Sequence, residues 1–204
     1  MIILKTGIVR CGFALIKLVQ GVETYDTPIY FTDAAAGTRE YSAEPKGDIH
    51  SVWANSVLVY QGTKNSGYDI NLTLIDIIDD IAEKWYGDET VSVGSKSGVA
   101  EEGKAVERPR FALIISEETT DENGVTHIFY NCRAGKKPTM NGKTTEEGNW
   151  DDQFPEYNIT ASAMKDPETG KYWVKADIQG TDELTSIEFP ELAGGTSPSE
   201  PSAP

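Results

Sequence analysis

The hydrophobic pattern is clearest between residues 67 and 87, where the spacing of the apolar positions changes once. In the first half of this stretch, apolar and polar side chains alternate. The apolar positions are Tyr68, Ile70, Leu72 and Leu74, and the polar positions between them are Asp69, Asn71 and Thr73. A period of two places each set on its own face of a strand, so the stretch predicts a half-buried β-strand.

The second half of the stretch has a helical period that begins near Asp76. One apolar stripe along this helix would contain Ile77, Ile78, Ile81 and Trp85. Asp76 is placed to cap the first turn, and Gly87 can adopt the positive φ that ends a helix. We therefore predict that Ile77, Ile81 and Trp85 pack this single helix against a sheet.

The rest of the chain is typical of short strands separated by turns. Strand-like runs lie at 12–16, 27–32, 38–43, 49–60, 111–116, 125–132, 157–164 and 172–178. Turn residues between them predict three hairpins, which join 38–43 to 49–60, 111–116 to 125–132, and 157–164 to 172–178. In the run 125–132, Ile128, Tyr130 and Cys132 are expected to share one face. The polar, glycine-rich run 88–108 is predicted to be a loop.

These elements predict a mainly β fold. About eight hairpin-connected strands and one helix indicate a β-sandwich or a partly open barrel, with the helix on its flank and an extended hairpin and terminal arms. We expect one domain over residues 1–180. Residues 181–204, which end in a Ser/Pro/Glu-rich run, are expected to form a flexible C-terminal tail.

Charge narrows the possible functions. The 204 residues carry a formal net charge of −15 at pH 7, so the surface should repel the phosphates of nucleic acids. The longest apolar runs are too short to span a membrane. The N-terminal region is interrupted by Lys5, Arg10 and Lys17, and it is not expected to be a signal peptide.

Candidate catalytic and metal-binding groups are few. Cys11 and Cys132 are expected to be buried and reduced. His127 lies in a predicted strand, which favours a structural histidine over a catalytic one. The acidic residues near Trp150 could be paired for glycoside chemistry, but a solvated acidic face is the interpretation we favour; they are Asp151, Asp152 and Glu156. The sequence therefore predicts no enzyme activity, no cofactor and no metal site.

A series of short motifs follows in a fixed order along the chain from about Thr6 to Gln179. The motifs are Gly7 with Phe13-Ala14, Thr27-Pro28-Ile29, Val52-Trp53-Ala54-Asn55, Asn65-Ser66-Gly67-Tyr68, Tyr86-Gly87, Phe111-Ala112-Leu113, Tyr130-Asn131-Cys132 and Ile159-Thr160-Ala161-Ser162-Ala163. Each motif is weak alone, and their joint order and spacing are specific. In this order and spacing the chain resembles the major tail tube protein of long, non-contractile-tailed phages.

The resemblance implies a structural virion protein, made in the cytoplasm of a bacterial host. Such subunits form hexameric rings that stack into a tail tube through which DNA is ejected without being bound specifically. The implied partners are other copies of the chain and the tail initiator, tape measure and terminator proteins, with no cofactor and no membrane. In the predicted hairpin 38–60, Glu40, Glu44 and Asp48 are the candidate lumen-facing carboxylates.

Two other classes of protein stay open on the sequence. The tube of a contractile tail-like particle has the same fold and differs in its machinery. A carbohydrate-binding β-sandwich is suggested by four tryptophans on an acidic chain, above all by Trp150. Trp53, Trp85 and Trp173 lie in predicted helices or strands, so we expect those three side chains to pack inside the fold.

Overall fold

The chain is mainly β, as predicted, with a single helix in its described part. The structure is a computed structural model. It describes residues 4–31, 37–47, 49–54, 56–63, 65–75, 79–103, 107–140 and 154–191.

Fifteen strands and one helix follow one another along the described chain. In order, they are β1 Lys5–Val19, β2 Val22–Tyr25, β3 Ile29–Tyr30, β4 Thr38–Lys46, β5 Ile49–Ala54, β6 Val57–Thr63, β7 Gly67–Leu74, α1 Asp79–Tyr86, β8 Glu89–Val93, β9 Lys96–Ala100, β10 Phe111–Thr119, β11 Val125–Ala134, β12 Glu156–Ser162, β13 Met164–Lys165, β14 Tyr172–Trp173 and β15 Lys175–Gln179.

A nine-stranded antiparallel sheet forms the body of the protein. Seven strands run in the order β2-β1-β10-β11-β12-β7-β4, while β3 pairs with β1 and β15 pairs with β11. The sheet curls, so that β1 approaches β4, the last strand of the order. Lys5 of β1 donates a hydrogen bond to the hydroxyl of Tyr41 on β4. Three further strand pairs stand apart as two-stranded sheets: β5–β6, β8–β9 and β13–β14.

The alternation predicted for residues 67–74 is confirmed in β7. Ile70, Leu72 and Leu74 are buried in the first core cluster, while Asp69 and Asn71 are exposed. The predicted hairpin of residues 111–132 is also confirmed, because β10 pairs with β11. Both elements are specified by local patterns, namely a period of two and a turn that contains glycine.

The helix packs on the sheet through the predicted stripe. Ile81 and Trp85 are buried, and the indole of Trp85 stacks on the ring of Phe111. Gly87 follows the helix with φ of 74°, and its amide donates to the carbonyl of Glu83. The helix therefore ends at Gly87, as predicted. Ile77, Ile78 and the proposed cap Asp76 lie outside the described residues.

The predicted hairpin of residues 38–60 is wrong. Strand β4 pairs with β7 instead, and β5 pairs with β6 to form a separate hairpin that turns at Ser56, whose φ is 63°. The long run 49–60 is therefore two strands rather than one. Tyr41 and Ala43 explain the choice of partner, because they place β4 against the same apolar cluster as β7.

Two other predicted connections also differ from the structure. Residues 88–108 were expected to form a loop, but they contain the β8–β9 hairpin. The predicted hairpin of residues 157–178 pairs only near its turn, as β13 with β14. Its outer arms, β12 and β15, both pair with β11 instead. The ladders that β12 and β15 form with β11 are longer than the ladder between β13 and β14.

Cys132 does not lie on the face predicted for it. A register shift in the β10–β11 ladder falls between the pairs Phe111–Cys132 and Leu113–Phe129. The shift moves Cys132 onto the face of Phe129, in the first core cluster, whereas Tyr130 belongs to the second. A bulge of this kind inserts one residue and cannot be read from the period of the strand.

The second core cluster lies on the opposite face of the sheet. Its buried members are Ala14, Ala112, Ile114, Ile128, Tyr130, Met164 and Ile187. Ile187 comes from the segment that follows β15, and Leu184 and Phe189 pack beside it. Packing against this face of the sheet therefore continues at least to Phe189.

Candidate functional site

A polar surface covers the outer face of three neighbouring strands, β4, β7 and β12. The cross-strand register places their outward residues in three rows: Glu40–Thr73–Glu156, Ser42–Asn71–Asn158 and Glu44–Asp69–Thr160. On the opposite face, the same strands bury side chains such as Ile70, Leu72 and Ile159 in the first core. We call these three rows the acidic face, because four of the nine residues are carboxylates.

Two of the three predicted lumen residues lie on the acidic face. Glu40 and Glu44 are exposed there, and Asp48 lies outside the described residues. The structure adds Asp69 and Glu156, which sequence reasoning did not connect with Glu40, although their alternation with buried residues was visible. Lys46 forms an ion pair with Asp69 at 2.5 Å and offsets one of these charges.

The β5–β6 hairpin exposes apolar side chains to solvent. The exposed fractions are 64% for Trp53, 64% for Val57, 64% for Val59 and 58% for Tyr60. The expectation that Trp53 packs inside the fold is therefore wrong, because the hairpin forms a sheet of its own apart from the body. Trp85 is buried as predicted, and Trp173 is partly buried against the second core.

The hairpin also lacks charge. Residues 49–63 contain no Asp, Glu, Lys or Arg in a chain of which 25% of the residues are charged. Exposed apolar residues gathered on one element make that element a candidate interaction surface. An uncharged surface can approach another molecule of net charge −15 without direct charge repulsion.

A cluster of polar and charged side chains connects five strands of the sheet, namely β1, β4, β10, β11 and β15. Nε2 of His127 lies 2.8 Å from the Glu117 carboxylate and 3.0 Å from Nζ of Lys5, while Nδ1 lies 2.5 Å from the Asp177 carboxylate. Lys5 forms ion pairs with Glu117 and hydrogen bonds with Tyr41. His127 is thus buried and bonded at both ring nitrogens, as expected of a structural histidine.

The cluster shifts the ionisation of its members. Burial alone would raise the pKa of Glu117, but hydrogen bonds from Lys5, His127 and Tyr41 outweigh it and hold that pKa below its usual 4.5. Burial also opposes the shift at Asp177, where hydrogen bonds from Lys175 and His127 lower the pKa. Both carboxylates are therefore held in the charged form.

The other candidate chemical groups do not converge on a site. Cys11 and Cys132 are free and buried, and burial raises the pKa of the Cys11 thiol to about 12. Glu156 is exposed on the acidic face, and its suggested partners Asp151 and Asp152 lie outside the described residues. Trp150 lies outside them as well. Within the described residues, no group of three or more His, Cys, Asp or Glu side chains could hold a metal ion.

Comparisons of the chain with protein-family models and with curated proteins find no match. In the part of the chain that the structure describes, no helix is long and apolar enough to cross a membrane.

Proposed function

We propose that this chain is a structural subunit that assembles into stacked rings of a phage tail tube. The tube would be of the long, non-contractile type and would conduct DNA during ejection. The proposal needs a subunit with three properties: a surface that binds other copies, an open sheet edge, and a face that DNA can pass without binding. The described residues supply a candidate for each of the three.

The observation that carries the proposal is the β5–β6 hairpin. Trp53, Val57, Val59 and Tyr60 are more than half exposed, so their burial against another copy would remove apolar surface from water. Burial of apolar area stabilises an interface by roughly 25 cal/mol per Å². A hairpin with its own two-stranded ladder can extend from the body without disturbing the first core.

The position of β4 supports ring formation. This strand ends the sheet order, and β7 is its hydrogen-bonded partner. An edge strand has backbone groups that can pair with a further strand, which proteins generally cover or block. In a ring, the neighbouring subunit would provide that strand, and the sheets would join around a central channel.

The acidic face supports the proposal that DNA passes through that channel without binding. It is adjacent to the β4 edge, so closing the ring through β4 would place Glu40, Glu44 and Asp69 on one continuous surface. Carboxylates repel the phosphates of DNA. A channel lined in this way lets DNA slide, which is what a conduit requires. The proposal includes no reaction and no cofactor.

Electron microscopy of the purified protein tests the proposal. We expect hollow tubes of stacked rings, formed by the chain alone or after addition of a tail initiator. Replacing Trp53 and Val59 with serine should abolish the tubes without lowering the unfolding temperature. Val93→Ser is the matched control, because Val93 is 77% exposed on the separate β8–β9 hairpin. Protein that stays monomeric with initiator present would contradict the proposal.

A carbohydrate-binding function is the second candidate, and exposed aromatic rings favour it. Trp53 and Tyr60 lie on the same hairpin, and sugar rings stack on aromatic surfaces of this kind. Glycan-array binding that is lost in Trp53→Ser, by a chain that forms no tubes, would support this function instead of the tail tube.

A further inference from the structure

Residues 181–191, which we call the strap, cover the second core cluster without forming a strand. Ile187 is buried there. Phe189 stacks on Tyr130 with ring centroids 5.2 Å apart and contacts Tyr25 at 5.9 Å. Ile187, Phe189 and the neighbouring Leu184 thus cover the face of the sheet that is opposite to the helix.

Side chains of the sheet hold the backbone of the strap. Arg10 donates to the carbonyl of Thr181 at 2.6 Å, and the amide of Leu184 donates to the Tyr30 hydroxyl at 2.7 Å. The Tyr130 hydroxyl donates to the carbonyl of Glu188 at 3.1 Å. Such contacts fix a segment at separate points, whereas a ladder would fix every second residue.

The strap is preceded by a residue that is suited to be a hinge. Gly180 has φ of 107°, a conformation that residues other than glycine rarely adopt. Its amide donates to the carbonyl of Gly124, and its own carbonyl accepts from Thr126. The chain is therefore held up to Gly180, and a change in the φ and ψ angles of this residue would redirect everything that follows.

The strap also borders a cavity and is strongly acidic. A cavity of about 500 Å³ lies between it and strands β11 and β15. The strap contains four carboxylates and no Lys or Arg; they are Asp182, Glu183, Glu188 and Glu191. Its ion pair with the sheet joins Arg10 and Glu183 at 3.4 Å. Asp177 of β15 lines the same cavity, so the carboxylates of the strap face a further carboxylate there.

We propose that the strap is exchanged between subunits, so that the strap of one copy covers the second core of its neighbour. The contacts of a lone subunit already show that this apolar face fits this segment, and exchange of an identical element creates no new surface to be matched. The inference rests on the proposed function, since a neighbouring copy must lie within reach. The partner of the second core is then the strap of another copy.

A peptide in trans tests whether the face accepts a second strap. The full-length chain with Ile187→Ser and Phe189→Ser would be mixed with a fluorescent peptide of residues 180–191, and binding followed by anisotropy. We expect about tenfold tighter binding to this variant than to the unaltered chain, because the strap of the unaltered chain competes with the peptide for the same face. A peptide with the same two replacements is the control. Equal binding to both chains, or no binding to the variant, would overturn the inference.

Two full-length charge variants test the exchange without removing apolar side chains from the second core. They keep the test available if the variant with Ile187→Ser and Phe189→Ser does not fold. Arg10→Glu and Glu183→Arg each place like charges at the contact. In an exchanged assembly of the two mixed variants, every contact between copies of different variants again joins opposite charges. We expect hydrogen exchange of residues 184–191 at low salt to be slower in the mixture than the mean of the separate variants.

A mixture that equals that mean, in tubes of normal appearance, would overturn the exchange and leave the proposed function intact. Absence of tubes from the unaltered chain would contradict the proposed function, and the peptide measurement would still decide whether the second core accepts a strap in trans.

Discussion

The indole of Trp85 lies parallel to the ring of Phe111, with centroids 4.5 Å apart and planes 8° apart. This contact joins the helix to β10 at the centre of the first core. Phe13 meets Trp85 edge-on at 5.5 Å, and Tyr157 does so at 5.8 Å. Aromatic pairs in such geometries stabilise a core beyond their buried area, so Trp85 is the main anchor of the helix.

Removal of this anchor should destabilise the protein strongly. We expect Trp85→Ala to lower the free energy of unfolding by about 3–5 kcal/mol, the usual range for a buried large aromatic side chain. A urea titration followed by circular dichroism measures the loss. Trp53→Ala is the matched control, with an expected change of under about 0.5 kcal/mol because Trp53 is exposed. A loss of less than about 1 kcal/mol for Trp85→Ala would mean that the helix packs differently.

Gly67 should tolerate no side chain. Its φ is 137°, and an added Cβ would lie 2.0 Å from the carbonyl oxygen of Ala161 on the neighbouring strand β12. We expect Gly67→Ala to lower the free energy of unfolding by roughly 2 kcal/mol or more, through strain and a shifted ladder. Gly98→Ala is the control, since no atom lies within 4 Å of a Cβ there. Equal melting temperatures for the two variants would contradict the predicted clash.

The charged cluster around His127 should make stability depend on acid. The pKa values of Glu117 and Asp177 are lower in the folded chain than their usual 4.5 and 3.8, so the unfolded chain takes up protons first as the pH falls. Their contribution to stability is complete above about pH 5 and is lost as the pH falls through the folded pKa values.

Urea titrations between about pH 7 and about pH 3 test this dependence. We expect Glu117→Gln to show a shallower fall in the free energy of unfolding over the acid range than the unaltered chain. Glu156→Gln, on the exposed face, should keep the steep fall. Parallel curves for Glu117→Gln and the unaltered chain would show that the cluster does not bind protons differently on unfolding.

Charge reversal on the acidic face tests the conduit. Glu40→Lys with Glu44→Lys should leave tube assembly largely intact and slow DNA ejection, because phosphates would meet attractive sites. The effect should shrink as salt rises, since screening acts over about 10 Å at 0.1 M ionic strength. Glu83→Lys with Glu168→Lys, both exposed and away from the acidic face, is the control for the same change in net charge. Normal ejection rates at low salt from assembled particles of the double variant would contradict the lumen assignment.

Local patterns in the sequence predicted the elements that depend on near neighbours. The alternation of β7, the stripe through Ile81 and Trp85, and the β10–β11 hairpin are of this kind. The pairing of β4 with β7 was missed, because it depends on where Tyr41 and Ala43 find an apolar surface, and the bulge that moves Cys132 has no periodic signal.

The functional surfaces divide in the same way. Glu40 and Glu44 were predicted as lumen carboxylates, and the structure places them on one exposed face, although in a different pairing from the one predicted. The strand position of Trp53 predicts a packed side chain, but Trp53 is exposed on a hairpin whose ladder is separate from the nine-stranded sheet. The cluster around His127 joins residues from both ends of the chain, so no local pattern in the sequence predicts it.

The pairing of β1 with β10 also sets the order of events during synthesis. Lys5 pairs with Thr119, so the first half of β1 lacks its β10 partner until the ribosome has passed the middle of the chain, whereas β2 and β3 can pair with its second half earlier. The β5–β6 hairpin and the β4–β7 ladder that flanks it depend only on residues made earlier. Each nascent chain therefore presents its uncharged apolar hairpin while half of its first core is still unmade. Chaperones that recognise exposed apolar strands would meet the hairpin during this interval.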